Sequence, residues 1–216
     1  MKTILAYGDS LTYGASPQPD GPRHDYDDRW PTVLERQLGG AARVIAEGLG
    51  GRTTAYDDWT AAADRNGARI LPTLLDSHKP LDLIIIMLGT NDLKPFVAGT
   101  AIYAARGARR LIEIVKGHFA ATGEAAPQIL LVAPPHAVET AYGPMIDNFG
   151  GTDHLLRETR QFSAHYARIA NETGVAFFNA ASVASANQGD GVHLDAANTR
   201  AIGEGLAPLV KSMLGL

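Results

Sequence analysis

Apolar positions along this chain follow two alternating rhythms. Short runs rich in apolar residues, Thr3–Tyr7, Arg43–Ala46, Leu83–Leu88, Ile129–Val132 and Val175–Phe178, have the length of strands. The clearest is Leu83-Ile84-Ile85-Ile86-Met87-Leu88, apolar at every position, as suits a central parallel strand covered on both faces. Between these runs the spacing becomes helical. Trp30, Val33, Leu34 and Leu38 recur on one face, with Pro31 in the first turn and Gly39-Gly40 as the stop. Asn66 is placed to cap a helix carrying Ile70, Leu71, Leu74 and Leu75, which Pro72 is expected to kink. Leu111, Ile112, Val115 and Phe119 share a face within Thr100–Ala121. Leu155, Thr159, Phe162, Tyr166, Ile169 and Ala170 do so within Asp153–Thr173, which Gly174 ends, and Ile202, Leu206, Leu209, Val210 and Met213 follow Asp195. Alternation of this kind predicts a parallel sheet with helices on both faces. Residues 16–29, 56–65 and 136–152 lack periodicity and read as loops.

Where the strands end is more informative than the strands themselves. The first run breaks into Gly8-Asp9-Ser10-Leu11, where a glycine permits a sharp bend. The second ends in Glu47-Gly48-Leu49-Gly50-Gly51-Arg52, and the third runs into Gly89-Thr90-Asn91-Asp92. The fifth is followed by a Ser/Asn/Gly loop that carries Asp190-Gly191-Val192-His193. All four segments fall at the carboxyl edge of the expected sheet, where open parallel sheets bind ligands. Taken alone, Ser10 fits a helix N-cap as well as a nucleophile. Together the segments hold the parts that serine hydrolysis requires. Ser10 serves as nucleophile, His193 as base and Asp190 as the carboxylate that orients the base. The oxyanion donors are the Ser10 N–H, the Gly51 N–H and the Asn91 side-chain amide. Leu11, Tyr13, Ala15, Thr90, Lys94 and Val192 are the candidate pocket lining. Asp9 and Asp92 read as structural carboxylates that bond nearby backbone.

Composition narrows the picture further. At 216 residues, with 45% hydrophobic and 19% charged residues, the chain reads as one domain spanning residues 1–216 with a substantial core. A formal net charge of −4 with no run of Lys or Arg argues against a nucleic-acid partner. There is no cysteine, which excludes thiol catalysis, thiolate metal sites and disulfides and fits a cytoplasmic location. The apolar stretch Leu81–Leu88 is too short to span a bilayer, so no membrane partner is expected. His24, His78, His118, His136, His154 and His165 show no metal-ligand spacing, and no metal is expected. The first turn matches neither dinucleotide nor P-loop glycine patterns.

The four segments, in this order, resemble the blocks of the SGNH (GDSL) hydrolase family. That resemblance covers the whole chain. It implies a flavodoxin-like three-layer α/β/α fold with a five-stranded parallel sheet, a small-molecule ester substrate and no cofactor. One departure is Ala46, where many members carry Asn ahead of the Gly-x-x-Gly. Asp28-Arg29-Trp30, Glu47 to Thr54 and Ile84 to Asp92 resemble the mycobacterial and rhizobial arylesterase/acyltransferase branch of the family. That branch implies short-chain ester hydrolysis, acyl transfer to alcohols and perhydrolysis. It also implies a homo-octamer whose assembly loops, here 16–29 and 136–152, narrow the site entrance. Ala15 stands where the mycobacterial branch carries Trp, which implies a wider pocket. A carbohydrate acetylesterase on the same machinery and a non-catalytic binding module on the same fold are the alternatives.

Overall fold

The computed structural model describes residues 1–18 and 20–216. Five strands, β1 (Lys2–Gly8), β2 (Ala42–Gly48), β3 (Leu83–Met87), β4 (Gln128–Ala133) and β5 (Ala176–Asn179), form one sheet in the order β2-β1-β3-β4-β5, with every neighbouring pair parallel. The strand order reverses at β1, which places the ends of β1, β2 and β3 around a switch-point crevice.

Among the described residues seven α-helices accompany the sheet: α1 (Ser10–Tyr13), α2 (Trp30–Gln37), α3 (Gly67–His78), α4 (Ala101–Thr122), α5 (Gly143–Asn148), α6 (Thr152–Thr173) and α7 (Ala196–Leu214). Alternation along the strands divides the core between two faces. Leu5, Tyr7, Ile84, Ile86 and Leu131 pack with Leu71 and Leu75 of α3, Leu111 and Ile112 of α4, and Phe162 and Tyr166 of α6. Ile4, Ala6, Leu83, Ile85 and Leu130 point the other way, to Trp30 and Leu34 of α2 and Ile202 and Leu206 of α7. The three-layer α/β/α arrangement follows directly from that division.

The helix boundaries show what local sequence controls. Asn66 caps α3 by accepting from the Ala68 N–H at 3.0 Å, and Asp195 caps α7 by accepting from the Asn198 N–H at 2.9 Å. Helix α3 continues through Pro72 to His78. Two departures concern the loops. Residues 136–152 contain α5, opened by Gly143-Pro144, and residues 16–29 contain a 3-10 turn at Tyr26–Asp28. Both are too short to display a helical period. Leu88 lies just past the end of β3, and its carbonyl accepts from the Tyr166 hydroxyl at 2.6 Å instead of joining the ladder.

Helix α4 is capped from a distance. Thr100 makes no side-chain cap; instead Glu158 of α6, 6% exposed, accepts from the fully buried Ala101 N–H at 3.0 Å. Its negative charge sits at the positive end of the α4 dipole. Glu158→Ala therefore leaves a buried N–H without a partner and should cost about 2 kcal/mol. A urea titration should show a lower midpoint with unchanged slope, whereas an unchanged midpoint would show that the cap contributes nothing.

Candidate active site

Ser10 is the first residue of α1, two residues after the end of β1. Its N–H therefore has no intrahelical acceptor. Asp9 caps this short helix through a 2.9 Å bond from the Leu11 N–H. The Asp190–His193 turn arrives from the loop after β5. Asp190 Oδ1 accepts from the N–H groups of Val192 (2.9 Å) and His193 (2.8 Å), which holds the carboxylate rigidly within its own loop. Its Oδ2 then faces His193 Nδ1 at 2.5 Å, and His193 Nε2 lies 3.0 Å from Ser10 Oγ. The hydroxyl, the imidazole and the carboxylate form one continuous chain. The carboxylate contact assigns the proton to Nδ1, leaving Nε2 free to accept the serine proton.

Asp190 stays charged. Burial works against its ionised form, but the His193 imidazole and the two backbone donors outweigh it and hold the carboxyl below its ordinary range. Asp9 and Asp92 lie nearby and are almost completely buried, at 1% and 0% exposure. Burial pushes Asp9 up to about 6, only partly countered by the Leu11 N–H. Burial pushes Asp92 up to about 7 against the Thr54 hydroxyl and N–H, with the charge of Asp9 adding to the rise. Environment alone thus separates three aspartates that are indistinguishable by composition.

The remaining donors come from the neighbouring strand ends. Leu49 to Arg52 form a turn closed by the Arg52 N–H on the Leu49 carbonyl at 3.0 Å. Gly51 is its third residue, at φ +79°, a left-handed position that type II turns reserve for glycine. Asn91 sits in a 3-10 turn after β3, 7% exposed, and one of its two amide hydrogens goes to the Arg52 carbonyl at 3.2 Å. That bond fixes which end of the amide is nitrogen and leaves the second hydrogen for a ligand.

Ser10, Gly51, Asn91 and His193 all line one cleft of about 600 Å³. Of the candidate lining residues, Tyr13, Ala15, Thr90, Lys94 and Val192 border it. Leu11 does not. It is 4% exposed and packs into the core beside Trp30 and Leu34, because the turn of α1 that exposes Ser10 points its neighbour inward. Four further residues contribute that lie outside the segments singled out in the sequence: Arg65, Met145, Asn148 and Phe149. The last three come from α5 and the residue after it, within the stretch read as loop. A smaller lobe of about 360 Å³ adjoins on the His193 side and includes Arg23, Tyr142 and Asp190. Among the described residues, no group of three or more His, Cys, Asp or Glu side chains is arranged to hold a metal ion. No helix among them is long and apolar enough to cross a membrane.

A hydroxyl, an imidazole and a carboxylate in series, at the carboxyl edge of a parallel sheet and with backbone and amide donors beside them, is the constellation of a serine hydrolase. The comparisons with known proteins narrow the class. The GDSL-like Lipase/Acylhydrolase family matches residues 6–200, and the chain belongs to that family. A carbohydrate acetylesterase family member from Sinorhizobium meliloti is 51% identical, with complete coverage of both chains and a TM-score of 0.94. The M. smegmatis aryl esterase is 40% identical over 99% of this chain and 100% of its own, with a TM-score of 0.92. A second carbohydrate acetylesterase from S. meliloti is 34% identical over 99% of this chain and 100% of its own, with a TM-score of 0.91. No curated protein sequence matches.

The two raised carboxyls make a pH prediction. In the folded protein Asp9 and Asp92 retain protons up to about 6 and about 7, whereas the unfolded chain releases them near 3.8. Across that window the folded state binds more protons, so their contribution to stability is fully present below the unfolded value and is lost as pH rises through the folded values. Asp92→Asn, uncharged at every pH, should flatten the fall in unfolding free energy between about pH 4 and pH 7, measured by urea titration at each pH. An identical slope in parent and variant would contradict this.

Proposed function

We propose that this protein is a cofactor-free serine esterase acting on short-chain acyl esters, aryl and acetyl esters among them, through an acyl-enzyme on Ser10. The observation that carries the reading is the hydrogen-bonded series Ser10–His193–Asp190, with contacts of 3.0 and 2.5 Å. Ser10 Oγ attacks the ester carbonyl while His193 Nε2 takes its proton. The carbonyl oxygen becomes an oxyanion held by the N–H groups of Ser10 and Gly51 and by the free amide hydrogen of Asn91. Asp190 stabilises the imidazolium and keeps its orientation. Collapse of the intermediate breaks the ester C–O bond, and His193 returns the proton to the departing alcohol. Water, activated by the same imidazole, then releases the acid and regenerates the Ser10 hydroxyl. An alcohol or hydrogen peroxide in place of water yields a new ester or a peracid, which is how acyl transfer and perhydrolysis arise on one site.

Acetylated carbohydrates are the second reading, supported by the names of the two similar S. meliloti proteins. Parallel assays of aryl acetates and acetylated sugars distinguish the two. The intact series at the cleft speaks against a purely binding role. The family resemblance supports a homo-octamer, with the segments 16–29 and 136–152 at the cleft mouth as assembly loops. Light scattering that shows a monomer would remove that assignment alone. The cysteine-free sequence supports a cytoplasmic location.

Ser10→Ala should abolish hydrolysis of p-nitrophenyl acetate, and a variant as fast as the parent would sink the proposal. Asp190→Asn should lower kcat by about 10³-fold or more, because the imidazole loses the carboxylate that sets its tautomer. Asn91→Ala should lower it by about 10²-fold through loss of one oxyanion donor. Steady-state kinetics on purified variants that unfold like the parent give both values. A loss smaller than about threefold in either variant would remove that residue from its assigned role.

A further inference from the structure

The Gly51 wall of the cleft carries a cation with no partner among the described residues. Arg65 lines the cleft and is half-buried. Its backbone is fixed: the Arg65 carbonyl accepts from the Thr53 N–H at 2.9 Å and from the Thr53 hydroxyl at 3.1 Å. Its side chain lies along Gly51, so that a Cβ built on that glycine would come within 3.2 Å of Arg65 Nε. Among the described residues the guanidinium has neither an ion pair nor a hydrogen bond.

Carboxylates are close by in sequence, but each is engaged elsewhere. Asp64 accepts from Arg69 at 2.6 Å, Asp57 pairs with Arg69 at 2.8 Å and accepts from Asn66 at 2.7 Å, and Asp58 binds Thr60 and reaches Lys94 at 3.4 Å. None of the residues lining this lobe is acidic, and Lys94 on the Asn91 side, 8% exposed, is the cation that Asp58 pairs. The adjoining lobe on the His193 side is different, with Asp20 and Asp190 in its wall. A protein of net charge −4 therefore places an unneutralised guanidinium next to its oxyanion donors.

We infer that Arg65 is a specificity-determining residue that selects esters carrying an anionic group, a carboxylate above all, on the part of the substrate that occupies the Gly51 lobe. The inference rests on the esterase reading and gives it a substrate class. A guanidinium offers a planar pair of donors that matches a carboxylate, and in a partly desolvated cleft the contact is stronger than on an open surface. The same charge attracts an anionic substrate on approach, an effect that salt screens. The anion can belong to the alcohol part or to the acyl part, and matched substrates separate the two.

The test compares kcat/KM for 4-acetoxybenzoate with that for its neutral methyl ester (alcohol arm), and for mono-p-nitrophenyl succinate with that for its neutral methyl ester (acyl arm). Each anionic-to-neutral ratio is measured in the parent, Arg65→Gln and Arg65→Lys. We expect the ratio in one arm to fall about tenfold in Arg65→Gln, to recover at least in part in Arg65→Lys, and to shrink in the parent as salt is raised. The arm that responds identifies which side of the ester the Gly51 lobe holds. Ratios that stay within about twofold in both arms, or an Arg65→Lys variant no better than Arg65→Gln, would overturn the inference. Hydrolysis of the neutral esters that is lost in Ser10→Ala, combined with unresponsive ratios, would leave the esterase reading standing and remove this one alone.

Discussion

Gly8 and Gly48 face each other across β1 and β2, and the first turn of α1 lies directly on both. A Cβ on Gly8 would fall 1.9 Å from Thr12 Oγ1, and one on Gly48 would fall 2.2 Å from the Tyr13 nitrogen. That close approach is what the site depends on. It allows the chain to turn back over the end of the sheet within two residues of β1, so that Ser10 projects into the crevice and not into a helix interface. Arg52 reinforces the junction. Its guanidinium lies 4.4 Å from the centre of the Tyr7 ring and donates to the Gly8 carbonyl at 2.9 Å and to the Glu47 carbonyl, joining the last residues of β1 and β2. The Arg52 carbonyl in turn receives the Asn91 amide, so the ends of three strands are connected through one residue.

Around this junction the protein maintains opposite electrostatic environments within a few residues of each other. Asp190 is supplied with an imidazole and two backbone N–H donors and stays ionised. Among the described residues, Asp9 has one backbone donor and its Oδ2 has no partner, and Asp92 has the N–H and hydroxyl of Thr54 alone. Burial prevails for both and raises them, to about 6 and about 7, while the donors around Asp190 hold it down.

The sheet was legible in the sequence because its evidence is local. Fully buried parallel strands must be apolar on both faces, and Leu83–Met87 are buried without exception. The cap at Asn66 was legible because a cap acts within three residues. The order of the Ser10, Gly51, Asn91 and Asp190–His193 segments followed from parallel topology, which brings every strand's carboxyl end to one edge. What could not be read depends on contacts between distant residues. Glu158 caps α4 from 57 positions away, and nothing in its own helix marks it except a carboxylate at an otherwise buried position. Arg65 stood in a polar loop, and its isolation becomes visible only once Asp57, Asp58 and Asp64 are seen to point to other partners. Leu11 was assigned to the pocket, but on a helix adjacent residues face about 100° apart, and while Ser10 faces the cleft Leu11 turns to the core.

The central claim is that Ser10 alone in this chain is activated for nucleophilic attack. Covalent labelling tests it most directly. The purified protein would be treated with excess fluorophosphonate, followed by intact mass measurement and peptide mapping, with esterase activity assayed in parallel. The account predicts one phosphonyl group per chain, on Ser10, accumulating in proportion to the activity lost. Label on another residue, or full activity in protein quantitatively labelled at Ser10, would contradict it.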